Sequence, residues 1–343
     1  MSGVTITDVA QRVGVSVATV SRYLSGFNVR QRDEIETAIH ELNYRPSAAA
    51  RNLKSGRTGT IAIVVPDISN PFFAAIATGA ETVAGEEHMV MLVNSGAIRE
   101  REEKILGELF GRVDGVILSP LQEDDEGPSF FSKYGLPIVF VDRITADAEK
   151  FDSVLVDNVK GARLATEHLI QLGHQKIAMI TGPLHTTPGR LRAEGYTSAL
   201  RKQKIALQES YLIESDFTRE GGYASMVKLL EDPNPPTAVI TGNNFMSIGA
   251  LEALKEKRVR IPDDISIIGF DDLDFSTLIE PGLTAVFRHF EAQGAEAMRI
   301  LLARISALAT NTELSPQHSM VDVHLIERGS CAPPTGLPAQ SKS

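Results

Sequence analysis

The chain has 343 residues, 23% charged and 43% hydrophobic, with a formal net charge of −10. One cysteine, Cys331, excludes a disulfide framework, and no run approaches the ~18 apolar residues of a membrane-spanning helix. The charge is unevenly spread: residues 1–60 hold eight Lys+Arg against five Asp+Glu, net +3, which leaves −13 for the remainder. An acidic body does not suit general nucleic-acid binding, so any such contact would be confined to the basic head.

Thr5 and Asp8 have capping-box spacing, with Asp in place of the usual Glu or Gln, and predict a first helix that buries Val9, Ala10 and Val13. Gly14 supplies the positive φ of a sharp turn. Ser16 caps a second helix, with Val20 and Leu24 inward at i, i+4 and Val17, Ala18, Ser21 and Arg22 outward. Ile35, Ala38, Ile39 and Leu42 form an i, i+3, i+4, i+7 stripe on a third helix and close a small core. By itself this helix-turn-helix pattern fits an ordinary three-helix bundle equally well. Pro46 then ends one helix or begins another. Ser47–Lys54 holds good helix formers but is too short to be helical alone, since isolated helices below about 12 residues are marginal in water. A hinge helix that forms only when held is the expectation.

Beyond Gly59, apolar strands alternate with amphipathic helices, the signature of parallel α/β layers. Strand candidates are TIAIVVP, MVMLVN, DGVILSP, LPIVFVD, KIAMITG, TAVITG and ISIIGF; helices are expected at 71–85, 99–110, 160–172, 188–203, 221–230 and 243–256. The length suits two doubly wound parallel-sheet lobes. The expected divisions are an all-α head at 1–45, a hinge at 46–57, a body at 58–329 and a disordered tail at 330–343. Within the body, lobe one takes 58–157 plus 288–316, and lobe two takes 158–287 plus 317–329.

The motifs TITDVAQRVGVSVATVSRYLSG, LNYRPSAAARNLKSGRTGTIAIVVPDISNPFF, VDNVKGARLATEHLIQLGH, RLRAEGY, PPTAVITGNN and IPDDISIIGFDD follow one another in this order. Through them the chain resembles the lactose/galactose repressor family to about Arg328. The resemblance implies that Val17, Ala18 and Arg22 read base edges and that Ser16, Thr19 and Ser21 bond phosphates. Thr5, Ile6, Thr7, Ser25, Tyr44, Ser47 and Arg51 complete the implied DNA contacts. Arg22 can take guanine O6 and N7 together, whereas Val17 and Ala18 offer apolar contact only; plain helix surface is their alternative. Leu53 stands where the family places a minor-groove wedge, with Ala49 and Ala50 small enough for two hinge helices to pack. Its alternative is a linker leucine capping the core. The stretch LSGFNVRQRDEIETAI is about three residues shorter than is usual in the family, and Ser25 replaces the common Asn. Arg30 and Arg32 are the substitutes for phosphate contact, with plain solvated surface as their equal alternative.

The body is also similar to ribose-type periplasmic sugar-binding proteins, which implies a periplasmic-binding-protein-like cleft at the strand ends. The matching positions are Asn70, Phe72, Phe73, Asp142, Arg143, Arg192, Phe217, Asn243 and Asp271. Carboxylates accept from hydroxyls, Arg and Asn donate to sugar oxygens, and aromatic rings pack on C–H faces. Phe72 and Phe73 read alternatively as core, and Asp271 as a capping residue. Arg288 stands where such sites commonly carry Gln, and Arg190 lies near Arg192. Extra cations suggest a sugar acid or sugar phosphate, with a surface Arg288 as the alternative. Asn243-Asn244 replaces the more usual Asn-Asp.

These readings lead to a sequence-specific transcription regulator of the repressor type. It is expected in the cytoplasm, as a homodimer on double-stranded pseudopalindromic operator DNA, under allosteric control by a sugar-like effector. No apolar heptad follows Arg328, so a dimer is the default. No cofactor, metal, membrane contact or catalytic residue is expected. The rivals are a transport receptor with the same body and a sugar-processing enzyme using Asp142 and Asp271.

Overall fold

A computed structural model describes residues 4–24, 26–44, 57–121, 123–124 and 135–334. By contact, residues 1–59 with 111–114 form one compact unit, and 60–110 with 115–343 form the other. The expected hinge helix, with Pro46, Ser47, Ala49, Ala50, Arg51 and Leu53, lies outside the described residues, as does Ser25.

The head contains α1 (Ile6–Val13), α2 (Val17–Leu24) and α3 (Arg32–Glu41). The capping box forms as its spacing demands: Asp8 Oδ2 accepts from the Thr5 N–H at 2.8 Å, while the Asp8 N–H donates to Thr5 Oγ1 at 3.4 Å. This satisfies donors that a helix start leaves without partners. Gly14 stops α1 at φ 76°, its N–H bonded to the Ala10 carbonyl. Ser16 Oγ accepts the Thr19 N–H at 3.1 Å at the start of α2. Val9, Val20 and Ile35 are fully enclosed, with Ala10, Ala38 and Tyr44 around them and Ile39 and Leu42 packed alongside.

In the body, lobe one is a six-stranded sheet in the order β11-β5-β4-β3-β1-β2, all parallel. Its strands are β1 (Thr60–Val65), β2 (Met89–Asn94), β3 (Gly115–Leu118), β4 (Ile138–Val141), β5 (Asp152–Val156) and β11 (His318–Val321). Lobe two repeats the plan as β12-β10-β9-β8-β6-β7, parallel except for β12 against β10. It uses β6 (Ile177–Thr181), β7 (Leu212–Glu214), β8 (Ala238–Thr241), β9 (Ser266–Phe270), β10 (Thr284–Arg288) and β12 (Val323–Ile326). The inner strands read as unbroken apolar runs because helices cover both faces; every residue of β1, β4 and β6 that is not polar is buried.

Each expected helix is present: α4 (Pro71–Ala84), α5 (Arg99–Leu109), α6 (Asn158–Gln171), α7 (Thr187–Lys202), α8 (Arg219–Leu230) and α9 (Asn244–Glu256). Two more follow, α10 (Phe275–Leu278) and α11 (Phe290–Ala309). α11 packs on α4 at backbone contact: a Cβ at Gly79 would stand 1.9 Å from the Glu291 carbonyl oxygen, and one at Gly294 1.9 Å from that of Ile76. Only glycine fits at either position. The pair seals the lobe-one core of Ile61, Ile63, Ile117, Val139, Met298 and Leu301.

Three boundaries differ from the sequence reading. Among the described residues the chain passes between lobes at Asp157, His289 and Asp322, so β11 at 318–321 belongs to lobe one, not to lobe two. Arg288, assigned to lobe one, is the last residue of lobe two's β10. The tail expected from residue 330 is packed through Ala332: Ser330 Oγ accepts the Thr284 N–H at 2.8 Å and donates to the Ile267 carbonyl, and His174 Nε2 lies 2.9 Å from the Ala332 carbonyl. Ser330 finds buried partners that composition alone does not reveal.

Candidate functional site

In the head, α2 buries Val20 and turns the opposite side to solvent. Val17 is 42% exposed, and Ala18 and Arg22 are exposed with it. The Arg22 guanidinium carbon sits 5.8 Å from the ring centre of Phe27, itself 59% exposed. An arginine beside an exposed aromatic just past a helix was not singled out by spacing, since Phe27 falls in the irregular segment before α3. Thr7 is exposed and Ile6 half-buried at the start of α1. The Thr5 hydroxyl is engaged by Asp8 at 2.8 Å, and the Ser16 and Thr19 hydroxyls are 2.9 Å apart. Ser21 is half-buried; Arg30 and Arg32 are exposed. Tyr44 is 9% exposed and packs in the head's core. Its ring therefore serves packing, whatever its hydroxyl contacts.

The body has its polar concentration at the carboxyl ends of the strands, where a doubly wound sheet opens a crevice. A cavity of about 450 Å³ lies between the lobes and is lined by all ten residues expected there: Asn70, Phe72, Phe73, Asp142, Arg143, Arg192, Phe217, Asn243, Asp271 and Arg288. Asp67, Asp216, Thr218, Glu220 and Phe245 also line it. Phe72 and Phe73 belong at once to the lobe-one core and to the cavity wall. The two earlier alternatives for them are thus one arrangement.

Asp142 follows β4 and Asp271 follows β9. Both hold left-handed backbone, φ 64° and 78°, and Phe217 joins them at 66°. Around Asp142 the Arg143 N–H closes on the Val141 carbonyl at 2.6 Å, the strained three-residue turn that side chains rarely enter. Phe217 has room because Gly182 faces it: a Cβ there would fall 1.9 Å from the ring.

Arg288 is buried with these aspartates. Its Nε donates to Asp271 at 2.6 Å and its Nη1 to Asp142 at 2.9 Å, while its guanidinium carbon lies 3.9 Å from the ring centre of Phe72. Burial opposes the charge, but Asp271 and Asp142 outweigh it and hold the pKa above the ordinary arginine value. The surface alternative for Arg288 therefore falls. So does its use as a sign of an acidic effector, because its charge already has two partners. Arg190 is exposed and not among the cavity's lining residues.

Arg192 differs. It is 1% exposed, donates through Nε to Asn158 at 2.8 Å and through Nη1 to the Gly242 carbonyl, and lies 3.8 Å from the ring centre of Phe270. Its Nη2 has no hydrogen-bond partner among the described residues. Burial, with Arg288 nearby, pulls its pKa down to about 10, so it stays charged at neutral pH. A buried donor without an acceptor is costly; Arg143 Nε, on the same lining, also lacks a hydrogen-bond partner among the described residues.

Other lining residues hold the wall. Asn70 caps α4 by accepting the Phe72 N–H at 3.0 Å, and exchanges amide hydrogen bonds with Asn244 at 2.9 and 3.3 Å. Asn243 caps α9 through the Met246 N–H and donates to the Phe217 carbonyl at 2.9 Å. Asn244, where the motif departs from Asn-Asp, is thus a link between lobes. Glu123 was missed: it accepts the Thr187 N–H at 2.7 Å across the cleft and lies 4.0 Å from Arg143. Burial raises its pKa to about 7, against the lowering effect of its bonds to Thr187. Nothing periodic marks Glu123, because its partner is 64 residues away.

An exposed helix-turn-helix face on one unit and a polar cleft between two doubly wound lobes on the other define a ligand-responsive DNA-binding protein. Residues 5–47 match the family described as bacterial regulatory proteins, lacI family, and residues 166–331 match the periplasmic binding protein-like domain. The ribose operon repressor of Escherichia coli (strain K12) is 35% identical over 332 residues, 95% of this chain and 99% of that one. Catabolite control protein A of Priestia megaterium is 35% identical over 304 residues, 87% of this chain and 91% of its own. The solved Lac repressor dimer bound to operator and the anti-inducer ONPF matches with a TM-score of 0.84 at 27% identity, over 96% of this chain and 100% of that one. A CelR–cellobiose complex matches at 0.73 and 32% identity, over 95% and 99%. The chain belongs to the lacI family of bacterial regulatory proteins, and it is a DNA-binding transcription regulator. No helix among the described residues is long and apolar enough to cross a membrane.

Proposed function

We propose that the protein is a cytoplasmic repressor that binds a pseudopalindromic operator as a homodimer and responds to a sugar or sugar derivative held between its lobes. The observation that carries this reading is the cleft: carboxylates, guanidinium groups and aromatic rings converge on one cavity of about 450 Å³, with the Nη2 of Arg192 awaiting an acceptor. That mixture suits a molecule with hydroxyls on its edges and C–H faces between them. Val17, Ala18 and Arg22 are the base-reading residues of this proposal, and Thr7, Ser16, Thr19, Arg30 and Arg32 its phosphate contacts. Pairing of two heads follows from specificity, since one recognition helix reads only a few base pairs.

Non-enzymatic action is part of the same proposal. Asp142 and Asp271, the carboxylates an acid/base mechanism would need, are both engaged by one guanidinium. The similarity to the ribose operon repressor, over 95% of this chain, favours repression over transport.

A thermal-shift screen over neutral pentoses, hexoses, uronates and sugar phosphates tests the cleft. A ligand at about 100 times its dissociation constant stabilises by roughly 2.7 kcal/mol. The same ligand should change operator affinity in a fluorescence-anisotropy titration. Turnover of any hit, or a hit with no effect on DNA binding, would overturn the reading.

A further inference from the structure

Two lobes joined by three passes of chain can bend about those passes, and the walls of this cleft meet each other directly. Arg288 belongs to lobe two, yet its Nη1 reaches Asp142 of lobe one at 2.9 Å while its Nε stays with Asp271 of its own lobe at 2.6 Å. Asn70 of lobe one and Asn244 of lobe two exchange amide bonds at 2.9 and 3.3 Å. Glu123 of lobe one accepts the Thr187 N–H of lobe two at 2.7 Å. All three contacts join protein atoms to protein atoms.

The first is the strongest by its chemistry. Hydrogen bonds between ions are roughly twice as strong as neutral ones, and here donor and acceptors are almost wholly buried. The guanidinium is further fixed by the face of Phe72 at 3.9 Å, a lobe-one ring, so Arg288 is held by lobe one through two kinds of contact. The aspartates it occupies are two of the cavity's carboxylates, beside Asp67, Asp216 and Glu220, and carboxylates accept from hydroxyl groups.

We propose that Arg288 is an internal occupant of the cleft: it takes Asp142 and Asp271, clasps lobe one to lobe two, and so sets the resting separation of the lobes. A neutral polyol that reaches Asp142 or Asp271 then has to share it with a guanidinium or break the clasp. The proposal goes beyond the reading as a sugar-responsive repressor and stands or falls separately from it.

The test is an interlobe distance in the full-length protein without added ligand. Spin labels at Glu86→Cys on lobe one and Lys228→Cys on lobe two, both exposed positions, are introduced with Cys331→Ser, and the distance distribution is read by pulsed electron resonance. With Arg288 present the distribution is expected to be narrow. Arg288→Gln should broaden it and move its mean to longer distance, and Asp142→Asn, which keeps the Arg288–Asp271 bond, should fall between. Circular dichroism establishes that each variant is folded; if Arg288→Gln is not, Asp142→Asn decides alone. Distributions that coincide for all folded variants would overturn the clasp. Operator binding measured on the same samples separates the two readings, since loss of DNA binding in the unsubstituted protein would damage the regulator assignment and leave the distances standing.

Discussion

In the head, the groups proposed above to face DNA are left to solvent: Val17, Ala18, Arg22 and Thr7 are exposed, with Phe27 beside the arginine. In the cleft, the corresponding groups are buried and already bonded to one another, as Asp142, Asp271 and Arg288 are. A surface that reads a rigid polyanion can rely on exposed side chains because DNA supplies the geometry. A cavity has to hold its charges in register before a ligand arrives, and pairing them is the physical means of doing so. The difference teaches that substitutions at the reading face should alter recognition and spare the fold, whereas substitutions in the cleft should do both kinds of damage.

The hardest blow to that contrast is Asp271→Ala. It strips a carboxylate from a buried cation and places alanine at φ 78°, so a loss of about 3–5 kcal/mol in urea unfolding is expected. A loss near zero would show that the cleft tolerates change as the head does. Next in size is a pH effect. Burial raises the Glu102 pKa to about 7, while the Leu121 N–H bond opposes the rise. The folded chain then binds this proton more tightly than the unfolded one, so its contribution is fully present below about pH 4.5 and is lost as pH rises through about 7. Linkage makes this on the order of 3 kcal/mol, and Glu102→Gln should flatten melting temperature between those limits, with Glu123 leaving a residual slope. Arg22→Ala should reduce discrimination between operator and scrambled DNA by about 1–3 kcal/mol while moving stability by no more than ~0.5 kcal/mol. Competition anisotropy and a melt on one sample read both. The smallest effect is Gly14→Ala, which forces a Cβ onto φ 76° with nothing else near it and should cost the head about 1 kcal/mol.

Much of this was legible where a residue's role depends on near neighbours. The Thr5–Asp8 box, the Gly14 turn and the Ile35–Leu42 stripe depend on spacings of a few residues, and each is present as spacing predicts. Inner strands were visible as apolar runs. β5 and β10 were not, because DSVLV and TAVFR break the run with a polar or charged residue whose buried partner lies far off, as Arg304 serves Asp152. The ten cavity residues were found as a set, but their bonding was not: the Arg288–Asp142 contact spans 146 residues. Burial of Tyr44 and Ser330 likewise follows from tertiary packing alone.

The left-handed backbone at Asp142 and Asp271 limits how such a cleft can diversify. Most side chains are strained at those φ values, and glycine and asparagine are the ready exceptions. Arg288 stands on an ordinary strand with no such restriction. The backbone therefore admits more side chains at position 288 than at either aspartate, while the buried pairing with Asp142 and Asp271 ties any loss of its charge to a change at theirs.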